Sequence, residues 1–352
     1  MKYLNTAFIA SAALAITMAG TALAAERSAG NEGSGEAPRA APGGARISER
    51  AAPIETPKFD ADEEGARDLE LDPAKIERGF GTVSRSRDGK ESRQPASEEM
   101  KRALQGEQTM RKGTDPAFAE GEADRQVFGD DDRVQVTNTT TYPFRVIGLL
   151  QGETQSGQLG NCSATLIGPR TVLTAAHCLY NHDDGGWLDN FVFAPGLNSM
   201  ENAPYGVYEY ETAYVFEGFI SNYQGFYGSV VPWDIAVVIL QEPVGDQIGW
   251  MAYGYDNELG DFYANIVGYP GDKPGGTMWR ANCDVPAEAM QDMYFQYFCD
   301  TFPGSSGSSV YVYDQATRDR IIYGVNVAES PNANTAVRIN QVYFEWLESL
   351  VQ

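Results

Sequence analysis

Beyond residue 125 the sequence predicts an all-β protein, a sandwich or barrel finished by one C-terminal helix. Short apolar runs, turn pairs between them and a change of composition along the chain predict it. The runs at 144–150, 163–167, 234–240, 265–268, 309–313 and 321–325 have the length of strands. Gly168-Pro169, Asp184-Gly185, Pro195-Gly196 and Pro270-Gly271 punctuate them. Many short strands of this kind make a sandwich or barrel. Val342, Trp346 and Leu350 recur at spacing four with Leu347 beside them, which is an amphipathic helix.

The 352 residues carry 26 Lys and Arg against 49 Asp and Glu, a net charge of −23. Residues 1–125 hold 18 basic and 22 acidic side chains, and residues 126–352 hold 8 and 27. After Tyr3 the next tyrosine is Tyr142, and all five tryptophans lie at or beyond Trp187. Only 126–352 therefore has the composition of a packed domain. The charge argues against nucleic acid or an anionic membrane as partner. With two histidines in the chain, a histidine-rich metal site is excluded.

The N-terminus, residues 1–24, reads as an export signal. Lys2 is the positive start, 7–19 is a short apolar run, and Ala22-Leu23-Ala24 is a small-residue cleavage site. Asn5, Thr6, Ser11 and Thr17 dilute the run too far for a membrane anchor. The expected location is secreted or periplasmic, with no membrane span and a monomeric state. In an oxidising compartment the four cysteines make two disulfides, with three connectivities open.

Residues 25–125 read as largely disordered, either a linker or surface tail or a removable pro-segment. From 25 to 96 the chain is rich in Gly, Pro, Ala, Arg and Glu, with Phe59 and Phe80 its only aromatics. Such a stretch buries too little apolar surface to offset its conformational entropy. A short helix is expected within 97–112, capped by Ser97, with Met100, Leu104 and Met110 on one side.

Three motifs carry chemistry. Thr174-Ala175-Ala176-His177-Cys178 presents a histidine after an apolar run, and Trp233-Asp234-Ile235-Ala236-Val237 places an acid at the head of another. Gly304-Ser305-Ser306-Gly307-Ser308 is a glycine-flanked serine in a tight turn. A serine hydroxyl is a weak nucleophile unless an imidazole takes its proton, and a buried carboxylate must then hold that imidazole. The glycines let the backbone turn so that the amides of Gly304 and Ser306 form an oxyanion hole.

Together these motifs resemble the chymotrypsin-like serine proteases, and within them the bacterial glutamyl endopeptidases. The similarity takes in 127–133, 136–140, Tyr142-Pro143, 167–172, Pro204-Tyr205-Gly206, 268–273 and Asp300-Thr301, so it covers nearly all of 126–352 and none of 1–125. It implies two antiparallel β-barrels, the first carrying His177 and Asp234, the second carrying Ser306. It implies a serine endopeptidase, a hydrolase acting on protein or peptide substrates through an acyl-enzyme, without metal or cofactor. In that reading Ser306 attacks, His177 is base then acid, and Asp234 orients it. The resemblance also implies a Cys162–Cys178 disulfide and, by remainder, Cys283–Cys299. Processing is expected at Arg125, making the chain a zymogen.

Departures from the family bear on specificity. Ser305 stands where digestive enzymes carry an aspartate, so activation by that ion pair is excluded. Asn326 stands where glutamyl endopeptidases carry the histidine that binds the substrate glutamate. Thr301 keeps the small hydroxyl of the pocket wall, Glu329 lies at its rim, and Asp300 lies six residues before the serine. The expected preference is polar or basic side chains ahead of glutamate. Asp130-Asp131-Asp132 and His182-Asp183-Asp184 read as solvated loops rather than calcium sites. The tyrosines of 205–227 read as barrel packing. A binding protein on a protease scaffold would lose a triad member, and an esterase would show a strand–elbow–helix pattern that is missing.

Overall fold

A computed structural model describes residues 45–59, 73–105, 127–315 and 317–351. The export signal, Met110 and Arg125 lie outside the described residues. In chain order the strands are β1 (Ala52–Pro53), β2 (Thr82–Ser86), β3 (Glu91–Gln94), β4 (Val134–Gln135), β5 (Ile147–Glu153), β6 (Leu159–Leu166), β7 (Thr171–Thr174), β8 (Tyr180–Asn181), β9 (Gly186–Trp187), β10 (Asp189–Pro195), β11 (Tyr208–Phe216), β12 (Ala236–Leu240), β13 (Ala252–Tyr253), β14 (Phe262–Gly268), β15 (Trp279–Val285), β16 (Tyr294–Tyr297), β17 (Ser309–Tyr313), β18 (Arg320–Glu329) and β19 (Asn334–Arg338).

Strands β10, β5, β6, β7, β12 and β11 pair in that order, and β10 pairs back onto β11. The result is a closed six-stranded antiparallel barrel. Closure buries both faces of β12, which explains why its sequence Ala-Val-Val-Ile-Leu does not alternate. The second sheet runs β16-β19-β18-β17-β14-β15-β4, with β13 beside β18. Its end regions share one core, in which Ala281 of β15 and Phe295 of β16 meet Ala264, Ile266, Val310 and Ala336. Among the described residues no ladder joins those ends, so the first unit is the closed barrel and the second an eight-stranded sheet around its own core.

The helix Gln341–Leu350 buries Val342, Tyr343, Trp346 and Leu347, and Asn340 caps it by accepting from the amides of Val342 and Tyr343. The disulfides are Cys162–Cys178 and Cys283–Cys299, each spanning 16 residues. A loop of that size contributes about 3 kcal/mol in the chain-entropy account.

For 45–59 and 73–105 the structure differs from the expectation of disorder. Strands β2 and β3 extend the first sheet, with β2 antiparallel to β11. Phe80 is fully buried, its ring 5.1 Å from Phe216, 5.4 Å from Tyr343 and 6.4 Å from Trp233. The expected short helix is Glu98–Gln105, with Ser97 Oγ accepting from Met100 N and with Met100 and Ala103 buried. One aromatic was enough because the apolar surface it fills belongs to the domain, not to the segment's own composition.

Candidate active site

His177 sits in a 3-10 turn immediately after β7, pinned through Cys178 to Cys162 on β6. Asp234 caps the turn that leads into β12. Strands β7 and β12 pair, with Thr174 opposite Ala236, which brings the two residues together across 57 positions. Asp234 is fully buried and accepts from the His177 amide at 2.9 Å. His177 Nδ1 lies 2.6 Å from the same carboxylate.

A third donor was not legible in the sequence: the Tyr227 hydroxyl donates to Asp234. Burial, followed by the Asp234 charge, pushes the Tyr227 phenol well above its ordinary range, so it stays a donor. Its ring also stands edge-on to the His177 imidazole. Within the tyrosine-rich stretch 205–227, Tyr205, Tyr208 and Tyr210 do pack the barrel, whereas Tyr223 and Tyr227 line a cleft. Those two also pack against the core, so they serve both as packing and as cleft wall.

Ser306 lies in the turn that leads into β17. Gly304 has φ +97° and Gly307 has φ +83°, the left-handed region that favours glycine. The amides of Ser305, Gly307 and Ser308 go to the carbonyls of Phe302, Asn326 and Ser305. The amides of Gly304 and Ser306 have no acceptor among the described residues, an alternation that suits an oxyanion. Ser163 fastens this turn to the first barrel. Its amide donates to Ser306 O, its hydroxyl donates to Gly304 O at 2.8 Å, and it accepts from Tyr269 N at 2.9 Å. Nothing but its place beside Cys162 marks that role in sequence.

The four residues expected to form the substrate pocket are placed differently from one another. The Asp300 carboxylate accepts from the amides of Phe128 at 2.8 Å and Asp132 at 3.2 Å, so it is engaged in holding the entry to the domain. Burial raises its pKa against those hydrogen bonds. Asn326 donates to Ser305 O at 3.1 Å and accepts from the buried Tyr297 hydroxyl, so both ends of its amide are used within the fold. Thr301 is buried. Glu329, 3% exposed at the end of β18, is pushed up to about 8 by burial, against the pull of Lys58 and a hydrogen bond from Thr56.

The two acidic loops also find ordinary partners. Asp131 and Asp272 clasp the buried Arg133, and Lys273 adds a further ion pair to Asp131. His182 stacks flat on Tyr223, 4.0 Å between centroids, on the His177 side of the cleft. Cys162, His177 and Cys178 are the one group of potential metal ligands among the described residues, and the two sulfurs are bonded to each other.

Residues 45–59, hereafter the strap, lie across the site. The cleft encloses about 440 Å³ between Ala52–Pro57 and a wall that includes His177, Tyr180, His182, Tyr223 and Tyr227. Thr56 Oγ1 is 3.2 Å from Ser306 Oγ. Ser306 is 0% exposed, and His177 Nε2 is buried with no hydrogen-bond partner among the described residues. Ser306 Oγ is thus hydrogen-bonded to Thr56 and not to His177 Nε2.

The family profile named Trypsin matches residues 133–347. The glutamyl endopeptidase of Bacillus licheniformis is 35% identical over 189 residues, which is 53% of this chain and 55% of that protein. A Bacillus subtilis protein named extracellular metalloprotease is 29% identical over 215 residues, 60% of this chain and 66% of that one. The chain thus spans little more than half of the first relative's length. A solved structure of a Glu endopeptidase in complex with MPD superposes with a TM-score of 0.55 at 27% identity, covering 63% of this chain and 98% of the other.

Proposed function

The chain belongs to the trypsin family, and from that premise we propose that it is a secreted serine endopeptidase, made as a pre-proenzyme, that hydrolyses protein or peptide substrates. The observation that carries the reading is the buried Asp234 on His177 Nδ1 at 2.6 Å, facing a serine turn whose Gly304 and Ser306 amides have no acceptor. Asp234 fixes the imidazole tautomer that leaves Nε2 free to take a proton. Ser306 Oγ attacks the scissile carbonyl carbon, and its proton passes to His177 Nε2. The carbonyl oxygen, now an anion, is received by the two amides, a contribution of about 3 kcal/mol per donor in comparable sites. His177 then protonates the leaving amine, and water resolves the acyl-enzyme by the reverse sequence. Catalytic hydrogen bonds are often long or unmade before substrate arrives, which suits the Thr56-covered state.

Two features favour cationic or polar side chains ahead of glutamate before the scissile bond. Asn326 is committed to Ser305 and Tyr297, and three residues further along β18 stands an acid, Glu329, in the field of Lys58. A glutamate side chain beside an ionised Glu329 is repelled by about 1 kcal/mol in a wet pocket, and by more if dry.

Protein cut at Arg125 and separated from the preceding residues, with Ser306→Ala as control, is given a mixed peptide library and the cut bonds are read by mass spectrometry. Cutting by wild type alone supports the assignment, with Lys, Arg or polar residues before the bonds. Glu329→Gln weakens a preference for cations, whereas Asp300→Asn leaves it in place. A wild type that neither cuts nor reacts with a fluorophosphonate overturns the reading.

A further inference from the structure

The strap crosses the cleft with a definite polarity. Its N-terminal part lies on the His177 barrel, where β1 runs parallel to β6, Ala52 opposite Gly160 and Pro53 opposite Asn161. Ile54 N donates to Asn161 O at 2.9 Å. Its C-terminal part lies on β18, also parallel: Glu329 N donates to Pro57 O and Phe59 N donates to Glu329 O, both at 3.0 Å. A chain that is to be cut needs the opposite polarity. His177 must protonate the leaving amine, so the segment C-terminal to the scissile bond belongs on the His177 side and the acyl segment along the pocket strand. The group against Ser306 Oγ is moreover a side-chain hydroxyl, that of Thr56.

How firmly each part is held differs. In the strap only Thr56 and Phe59 are buried. Residues 73–105, here the clamp, bury Phe80, Val83, Ala96, Met100 and Ala103 in the main hydrophobic core, which the first barrel shares with the C-terminal helix. They add the β2–β11 ladder, Trp346 Nε1 on Thr82 Oγ1 at 3.0 Å, and ion pairs from Arg85 to Asp189, Arg87 to Glu209 and Arg93 to Glu217. None of these contacts depends on the peptide connection at Arg125.

Resting on the serine endopeptidase reading, we propose that residues 45–59 and 73–105 act as an inhibitory subunit that stays bound after the chain is cut at Arg125, its clamp holding a reversed and therefore uncut strap over Ser306. Processing at Arg125 alone leaves the nucleophile covered; activity requires that the strap be parted from the clamp or the clamp itself be lost. The tether matters because it keeps a weakly held strap at high effective concentration over the cleft.

The test uses the full chain with a recognition sequence for a site-specific protease placed at 112–118, at 62–68, or at both. After the first cut alone, the pieces co-elute at the mass of the intact chain and fluorophosphonate labelling of Ser306 stays as slow as before. After the second cut, labelling accelerates by about 100-fold, the scale of the lost tether. Separation of the pieces with full labelling after the 112–118 cut alone overturns the proposal. A synthetic 45–59 peptide added to the activated enzyme slows labelling and is recovered whole; cleavage next to Thr56 overturns the reversed polarity. If no cut yields labelling although mass spectrometry shows the strap gone, the serine endopeptidase reading fails, while co-elution still reports on the clamp.

Discussion

The strap and the clamp come from one stretch of similar composition, yet they sit on the domain by different means. The clamp is held by side chains in the core, with Phe80 and Val83 fully buried. The strap is held by backbone hydrogen bonds to Asn161 and Glu329, by a glutamine, Gln151, that brackets Ser48 with bonds of 2.9 and 3.1 Å, and by one buried ring, Phe59, edge-on to Tyr294. Burial of a large aromatic contributes several kcal/mol, whereas a solvated hydrogen bond nets about 1. With five buried apolar side chains against the strap's one ring, the clamp supplies most of the affinity, and the strap, through Thr56, supplies the block.

Breaking the clamp should therefore have the largest effect. Phe80→Ala removes a ring packed against Phe216, Trp233 and Tyr343, at a cost of about 3–5 kcal/mol. Calorimetry should show the melting temperature falling by about 10 °C, with faster fluorophosphonate labelling at temperatures where the domain is still folded. An unchanged melting temperature would mean that the clamp is not part of the core.

Tyr227→Phe tests the catalytic side of the cleft without touching either part. Losing a hydrogen bond to a buried carboxylate costs about 1.5–3 kcal/mol, so kcat should fall by roughly 10- to 100-fold at nearly constant KM. A fall in folding stability with an unchanged kcat would assign Tyr227 to packing alone.

Glu329 gives the strap a pH dependence. Burial raises its carboxyl to about 8 in the strapped form, so that form binds a proton which the open form releases. Strap occupancy should be fully supported below the ordinary carboxylate range and weaken as pH rises towards about 8, with Glu55 and Lys58 the charges facing the group. Labelling rates of the uncut chain, followed from pH 5 to 9, should rise across that window and flatten in Glu329→Gln. The smallest effect is expected at the clamp's surface. Arg85→Ala breaks a partly buried pair with Asp189, which is worth about 1 kcal/mol and is screened by salt.

What was legible in the sequence was local. His177, Asp234 and Ser306 each sit in a motif of five residues whose chemistry can be read in place, and the C-terminal helix shows its spacing. What was not legible depends on distant partners. Thr56 meets Ser306 across 250 positions, Ser163 reaches Gly304 across 141, and Phe80 reads as a lone aromatic until the nest it fills is assembled. Asp300 was readable by its distance from the serine, but spacing does not say which way a carboxylate turns, and this one turns to the amides of Phe128 and Asp132.

The central claim is that Ser306, activated by His177 and covered by Thr56, is the nucleophile. Fluorophosphonate labelling followed by peptide mapping tests it most directly, on the uncut chain and on a chain whose strap has been released. The account predicts a single modified residue, Ser306, labelled slowly before release and rapidly after it. Labelling at Ser305 or Ser308 instead, or an equal rate at Ser306 in both states, would contradict it.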